Sequence, residues 1–319
     1  MPVMTNDEAT NLAFLTNELI NRDPLVHQPL VMTKWGEVIK LREGISLSDE
    51  YTAYVRSDWG ITGTLGVNGI PWITPTVTDM PNVSITGEQV LTPMHLGGYM
   101  ISYSKLELEK AQRLNINLDQ QKTDAMHESY QLAIDKMVFT GDSSLDTTTR
   151  KCQGLVNNDA VSVTNSTKLF SAMSDDEKVK AINDLLETAW EATNYTIMPN
   201  MVLLPPALFA TLATTRYGDN ADHTLLKYLE ANCLAASETG VAPKFISSRW
   251  CNTAGKDKKG RIIAFNNDVT NVRYNMAPIQ RMESYLDKGM YYNTPYVFAL
   301  GEVEWIRPQS AAYLDKVTN

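Results

Sequence analysis

The sequence has few of the residues from which metal and redox sites are usually built. It holds only four histidines and three cysteines in 319 residues. The cysteines Cys152, Cys233 and Cys251 lie far apart, so their spacing indicates neither a disulfide framework nor a zinc site with paired ligands. We expect free thiols, as is usual in a reducing compartment.

Recognisable catalytic motifs are also missing. None of the histidines shows a metal-ligand spacing or adjoins a candidate nucleophile; they are His27, His95, His127 and His223. The glycines Gly63, Gly66 and Gly69 do not form a dinucleotide fingerprint, because the spacing is wrong and no βαβ unit surrounds them. The sequence therefore predicts no catalytic, cofactor-binding or metal-binding residue, and we expect a protein that is not an enzyme.

Positive charge and long apolar runs are scarce as well. Lys and Arg number 28 against 37 Asp and Glu, a formal net charge of −9. This balance argues against a sequence-reading nucleic-acid binder, because phosphate binding needs clustered Lys and Arg. No run approaches the ~18 apolar residues that span a bilayer, and the N-terminus lacks the pattern of a secretory signal. Hydrophobic residues are 43%, which predicts a folded core of one large or two modest domains.

The clearest single element is a long helix predicted over residues 117–140. Asn117 is a good N-cap with Gln120 three residues on, and Gly141 suits the left-handed residue that follows a helix. Apolar side chains occur on several of its sides, next to a stripe of small residues: Ala125, Ser129 and Ala133. A helix with this pattern is usually packed on more than one side.

The residues before this helix predict an arm and a projecting loop. Thr5–Asn21 is amphipathic, and the chain to residue 45 has little periodicity apart from a possible strand in VMTKWGEVIKLREG. Residues 46–103 combine frequent Gly and Pro with short β-branched runs, which is typical of an extended hairpin. Trp59 and Trp72 lie in it, either as interface anchors or as staples of the hairpin itself.

After the long helix the pattern alternates between strands and helices. Ser174 with Glu177 begins a helix to residue 192, and MVLLP (201–205) indicates a buried strand. Helices at 206–214 and 222–233 follow, then strands at 244–250 and 261–265 around a polar hairpin loop, so we expect an α/β subdomain over 172–266. The tail, 269–309, is almost entirely strand pattern with a turn at Asp287–Gly289, and we expect it to cover the long helix.

Several of these segments together resemble the HK97-like major capsid proteins of tailed phages, a group that is also close to encapsulin shell proteins. The similar segments are SKLELEKAQRLNINLDQQKTDAM, VFTGDSS and GLVN around the long helix, and MAPIQ and YNTPYVFALGEVEWIRP in the tail. The resemblance implies an α+β fold with an N-terminal arm, a projecting E-loop, a spine helix in a peripheral domain and an α/β axial domain.

This resemblance also implies a domain map. The N-terminal arm would be residues 1–45 and the E-loop 46–103. The peripheral domain would take 104–171 and 267–319, with the spine helix at 117–140, and the axial domain 172–266. Candidate contacts between subunits are Trp35, Trp59 and Trp72, and the axial tip at loop 251–260 with Lys256, Lys258 and Lys259.

The function implied is that of a major capsid protein, a subunit that assembles with itself in hexamers and pentamers into an icosahedral shell around double-stranded DNA, which it binds without sequence specificity. It would assemble in the host cytoplasm and reside in the virion, with no membrane contact. No lysine lies between Lys40 and Lys105, so the E-loop cross-link of one family member should be absent. The implied partners are a separate scaffolding protein, a portal and, as a further candidate, a cement protein.

Two other functions remain open on sequence alone. An encapsulin-type compartment shares the fold but encloses protein cargo. A soluble α+β enzyme with a dispersed active site is a more remote alternative, because residues distant in sequence can still form a triad.

Overall fold

The computed structural model describes residues 32–62, 80–113, 118–148, 150–218 and 223–318. The predicted helix Thr5–Asn21, the cap Asn117 and Trp72 lie outside these ranges. The helices are α1 (Trp35–Val38), α2 (Lys105–Arg113), α3 (Leu118–Thr140), α4 (Asp175–Ala192), α5 (Pro206–Thr214), α6 (Leu225–Asn232) and α7 (Leu234–Thr239). The strands are β1 (Tyr51–Thr62), β2 (Asn82–Ser104), β3 (Ser162–Asn165), β4 (Met201–Leu204), β5 (Lys244–Ser247), β6 (Arg261–Phe265), β7 (Val272–Arg281), β8 (Tyr285–Asp287), β9 (Tyr291–Trp305) and β10 (Ala311–Asp315).

The first sheet is antiparallel and has the order β1-β2-β9-β7, with β8 paired to β9. The predicted hairpin in residues 46–103 is present as the β1–β2 pair, and the tail supplies β7, β8 and β9. The turn after β8 has Lys288 and Gly289 at positive φ, as Asp287–Gly289 predicted. The strand suggested for VMTKWGEVIKLREG is wrong in part: Trp35–Val38 is one helical turn, and only Leu41 bridges to Tyr274 of β7.

The long helix α3 packs against this sheet, as the sequence predicted. Its C-terminal half is deeply buried, with Ile134 and Val138 fully enclosed. The ring of Tyr130 lies 4.9 Å from that of Phe298 on β9. Along the N-terminal half the small-residue stripe is open to solvent at Ala125 and Ser129.

The end of α3 is capped by a segment 14 to 17 residues further along the chain. Gly141 has φ +68 and its N–H bonds the carbonyl of Met137, as expected for the residue after a helix. The N–H groups of Leu155 and Val156 then donate to the carbonyls of Val138 and Phe139, at 2.8 and 3.0 Å. These last-turn carbonyls have no partner within the helix. The sequences VFTG and GLVN are therefore two halves of one cap.

The second sheet has the order β3-β10-β6-β4-β5; strands β10, β6 and β4 are buried on both faces, whereas the edge strand β3 is exposed. Alternate residues of each strand enter different cores, which is why MVLL and RIIAF are continuous apolar runs. One core lies toward α3 and includes Leu203, Ile263 and Tyr313. The other lies under α4–α7 and includes Val202 and Ile262. Helix α4 begins with the predicted capping box between Ser174 and Glu177.

Two features of this sheet differ from the sequence prediction. β5 and β6 do not form a hairpin: β4 lies between them, parallel to β5 and antiparallel to β6. The sheet also includes β3 and β10, which lie outside residues 172–266. The three helices between β4 and β5 form the crossover that a parallel pair requires.

Candidate subunit interface

The β1–β2 hairpin is exposed to solvent over most of its length. Its register runs from Tyr51 opposite Pro93 to Thr62 opposite Asn82. Beyond the first few pairs, side chains on both faces are open to solvent. An isolated two-stranded ribbon is only marginally stable in water, so this exposure indicates an element that is completed by contact with something else.

The two faces of the hairpin differ in chemistry. Because side chains alternate along a strand, one face is apolar and the other polar. The apolar face consists of Val55, Trp59, Ile61, Val83 and Ile85, and we call it the hairpin apolar face. The polar face carries Arg56, Asp58, Ser84, Thr86 and Glu88.

Trp59 is the largest side chain on the hairpin apolar face. It lies directly opposite Ile85, and both residues are 74% exposed. A tryptophan that stapled the hairpin to itself would bury much of its ring against the partner strand. This exposure therefore favours the interface anchor over the staple. Contiguous apolar surface of this kind is typical of protein–protein contact sites.

A second exposed apolar group lies at the other end of the first sheet. It consists of five residues of β8, β9 and the turn between them, which we call the tyrosine hairpin: Tyr285, Leu286, Met290, Tyr291 and Tyr292. The N–H of Lys105 donates to the carbonyl of Met290 at 3.0 Å, which ties this hairpin to α2. The alternating tail pattern predicted these strands but not their exposure.

At the base of the β1–β2 hairpin lies a buried polar cluster, the root cluster. Glu302 accepts two hydrogen bonds from Arg150, at 3.1 and 2.7 Å. Glu304 accepts from Thr52 Oγ1 at 2.8 Å and from Arg273 Nε at 2.7 Å. Burial opposes ionisation of Glu304, but these hydrogen bonds outweigh it and hold its pKa below the ordinary value.

A second buried carboxylate connects the segment before α1 to the long helix α3. Asp135 of α3 accepts from the backbone N–H of Lys34 at 3.0 Å and from Trp250 Nε1 at 2.7 Å. The ammonium of Lys34 reaches the carbonyl of Ser247 at 2.8 Å. The Asp135 side chain therefore joins the segment before α1, helix α3 and the turn that follows β5. Buried carboxylates persist only with such partners.

The predicted contact residues fall in different environments. Trp35 is half-buried and its Nε1 donates to Gln131 of α3 at 2.8 Å, so its polar group is used within the chain. Lys256 and Lys258 are exposed on a short turn, while Lys259 is half-buried. This turn is not the tip of a β5–β6 hairpin, as the sheet order shows. Contacts of all these residues with other subunits stay predictions.

The titratable groups show no catalytic arrangement in the described ranges. His95 lies 3.7 Å from Glu302, and His127 is exposed on α3. Burial raises the pKa of Cys152 to about 11 and that of Cys251 to about 12, which keeps both thiols protonated. Among these residues no group of three or more His, Cys, Asp or Glu is placed to hold a metal ion. None of the described helices has the length and apolarity to cross a membrane.

This architecture is that of the HK97-like fold. It is similar to the capsid protein of Myoviridae phage XM1, with a TM-score of 0.77, 16% identity and coverage of 94% of this chain and 97% of the other. It is also similar to the capsid of a native GTA particle, with a TM-score of 0.61, 11% identity and coverage of 95% and 97%. The SrpI encapsulin of Synechococcus elongatus PCC 7942 has a TM-score of 0.52, 11% identity and coverage of 96% and 95%.

The family is established by sequence. The chain belongs to the major capsid protein family, whose model matches residues 70–317. It is a structural subunit that assembles with itself into a capsid shell and is part of the virion. Among curated proteins no sequence matches it significantly.

Proposed function

We propose that this protein forms the icosahedral head of a tailed phage, in hexamers and pentamers, by laying the hairpin apolar face of each subunit on a neighbour. The observation that carries the proposal is the exposure of Trp59 and Ile85 on one face of a projecting hairpin. Such contacts are heterologous, and they close around symmetry axes when the rotation permits.

The energetics of the hairpin favour this use. Complete burial of a large apolar side chain stabilises a complex by about 1.5–3 kcal/mol. The hairpin apolar face contains five such side chains. Part of this gain is offset by the entropy lost on association. The net free energy of each contact is therefore modest, and a shell is stabilised by many such contacts.

The other predicted regions take roles around this contact. Residues 1–45 would be the N-terminal arm, 46–103 the E-loop, 104–171 and 267–319 the peripheral domain and 172–266 most of the axial domain. Loop 251–260 would lie near the five-fold and six-fold axes. The continuous sheet supports assigning β3 and β10 to the axial domain as well. The tyrosine hairpin supplies a second apolar surface for contacts between subunits.

The expected contents of the shell and its partners are inferred from the net charge and the lysine positions of the chain. A net charge of −9 suits a wall that encloses double-stranded DNA without binding it, because a strongly basic wall would hold the duplex. The hairpin ranges lack lysine, so non-covalent contacts or a cement protein would hold the shell. We expect assembly in the host cytoplasm with a separate scaffolding protein and a portal.

The second candidate is an encapsulin-type shell, and the observation in its support is the likeness to SrpI. The larger TM-score with the phage XM1 capsid favours the phage head. Nucleic-acid content and electron microscopy of purified particles separate the two. Particles filled with DNA that carry a tail vertex support the phage head, and small cargo-loaded shells support the compartment.

The test uses two adjacent residues on opposite faces of β1. Trp59→Asn removes the anchor of the hairpin apolar face, whereas Asp58→Asn places the same side chain on the polar face. Truncating an interface anchor typically costs 2 kcal/mol or more, so we expect the subunit concentration needed for assembly to rise at least about tenfold for Trp59→Asn. Asp58→Asn should assemble like the wild type in light scattering and electron microscopy. Normal assembly of Trp59→Asn would refute the proposed contact.

A further inference from the structure

The β1–β2 hairpin leaves the first sheet at a defined point. Pairing between β2 and β9 ends with Met94 opposite Gly301. A side chain at Gly301 would lie 2.8 Å from Met94 Sδ and 2.9 Å from the carbonyl of Asn275. Beyond it β9 continues with Glu302 and Glu304, while the hairpin continues without β9 beside it. The direction of the hairpin is therefore set at this point.

Side-chain hydrogen bonds from several parts of the chain hold the hairpin here. Glu304 of β9 binds the hydroxyl of Thr52 on β1. Arg150, which is paired with Glu302, donates from Nη1 to the carbonyl of Leu91 on β2 at 2.6 Å. A weaker hydrogen bond runs from Arg42 Nη1 to the carbonyl of Ala53 at 3.3 Å.

Residues of the neighbouring strand β7 hold Glu304 and its partner Thr52 in place. Glu304 is 2% exposed and accepts from Arg273 of β7. Asn275 of the same strand donates to the Thr52 hydroxyl at 2.9 Å, so Thr52 is fixed by two groups. Hydrogen bonds to ionised groups are short, directional and roughly twice as strong as neutral ones.

Small changes at the root are amplified along the hairpin. The ten residue steps from Thr52 to Thr62 extend about 33 Å at roughly 3.3 Å per residue, so a ~10° rotation at the root moves the end of β1 by about 6 Å. Trp59 lies about seven steps from Thr52, so the same rotation moves it by about 4 Å, which is enough to disturb its packing on a fixed partner surface. The angle at the root is therefore a determinant of how neighbouring subunits meet.

We infer that Glu302 and Glu304 are positioning residues for assembly: they set the direction of the β1–β2 hairpin and thereby the curvature and diameter of the shell. The inference rests on the proposed function, in which the hairpin contacts a neighbouring subunit. The carboxylates do not themselves touch the neighbour. They act through Arg150 and Thr52.

The first measurement uses the unassembled subunit, full chain, below its assembly concentration. Spin labels at Ser84→Cys on the hairpin and Glu191→Cys on α4 report their distance distribution; both sites are exposed, whereas the native cysteines are buried. The variants are Glu304→Gln, Glu302→Gln and Thr52→Val, with Glu88→Gln as the control. Glu88 is an exposed hairpin carboxylate opposite Arg56, so the control removes the same charge without touching the root.

We expect a narrow distance distribution for the wild type and for Glu88→Gln. Loss of one hydrogen bond to a charged group should raise the population of other hairpin directions about tenfold. The three root variants should therefore give broadened distributions. The inference is overturned if the wild type gives a broad distance distribution, or if the root variants give the same distribution as the wild type. Thr52→Val keeps the Arg273–Glu304 pair, so it separates hairpin direction from a general loss of stability.

The second measurement is particle diameter by electron microscopy. Root variants should form shells of mixed diameter, whereas Glu88→Gln should match the wild type. A root role that is merely structural would lower the yield and melting temperature but leave the diameter of the remaining shells unchanged, which would also overturn the inference. If the wild type forms closed shells and Trp59→Asn forms them equally well, the proposed hairpin contact fails, and the label distances still decide whether the root cluster positions the hairpin.

Discussion

Replacing Gly154 with alanine should destabilise the subunit by breaking the cap of the spine helix. A Cβ at this position would lie 2.3 Å from the carbonyl oxygen and 2.4 Å from the carbonyl carbon of Phe139. Both are backbone atoms, so the two segments must move apart. That movement breaks the bonds from Leu155 to Val138 and from Val156 to Phe139. Each buried carbonyl left without a partner costs about 1–3 kcal/mol.

The expected loss is therefore about 2–4 kcal/mol, after allowing for the smaller entropy of the unfolded alanine chain. Chemical denaturation of the unassembled subunit, followed by circular dichroism, measures it. Gly36→Ala is the matched control, because Gly36 lies on the exposed side of helix α1 and no neighbouring atom lies within 4 Å of an added Cβ. It should be neutral or slightly stabilising. Equal stabilities of the two variants would refute the cap as the reason for glycine at position 154.

Two further predictions concern buried charges. Arg261 is paired with Asp315 through Nε–Oδ1 and Nη2–Oδ2 contacts of 2.6 and 2.9 Å. Arg261→Met should therefore lower the free energy of unfolding by about 3–5 kcal/mol, measured by thermal or chemical unfolding. Arg56→Met on the exposed hairpin is the control and should be nearly neutral. A small loss for Arg261→Met would contradict the strength assigned to the pair. The pKa of Glu304 is lowered in the folded state, so its stabilisation is complete above the ordinary value of 4.5 and is lost as the pH falls through the lower folded pKa. Glu304→Gln should therefore show a flatter acid dependence of unfolding free energy than the wild type, and identical profiles would disprove that linkage.

The parts of the fold that could be predicted are those whose signal is local. The capping box at Ser174, the left-handed Gly141 and the apolar runs MVLL and RIIAF each specify their own element. Strand pairing is not local in this way. β5 and β6 are consecutive strands in the sequence, so their pattern suggested a hairpin, yet β4 lies between them in the sheet.

The root cluster could not be predicted for a related reason. In ALGEVEW the acidic residues Glu302 and Glu304 alternate with apolar ones, a pattern that usually indicates a solvent-facing side of a strand. Their partners Arg150 and Arg273 lie 152 and 31 residues away. Nothing near them in the sequence shows that these carboxylates are buried. The hairpin apolar face is the converse: apolar residues at every second position usually indicate the buried side of a strand, yet the single subunit leaves them exposed.

An exposed apolar hairpin must avoid pairing with other copies before assembly. β1 lies at the edge of the first sheet, where unpaired N–H and C=O groups can recruit another strand. Arg56 and Asp58 lie on this edge strand, and charged side chains at such edges disfavour strand addition. The alternation that places these charges on one face leaves Trp59 on the other. Edge pairing is thus discouraged, while the hairpin apolar face stays available for the proposed contact with a neighbouring subunit.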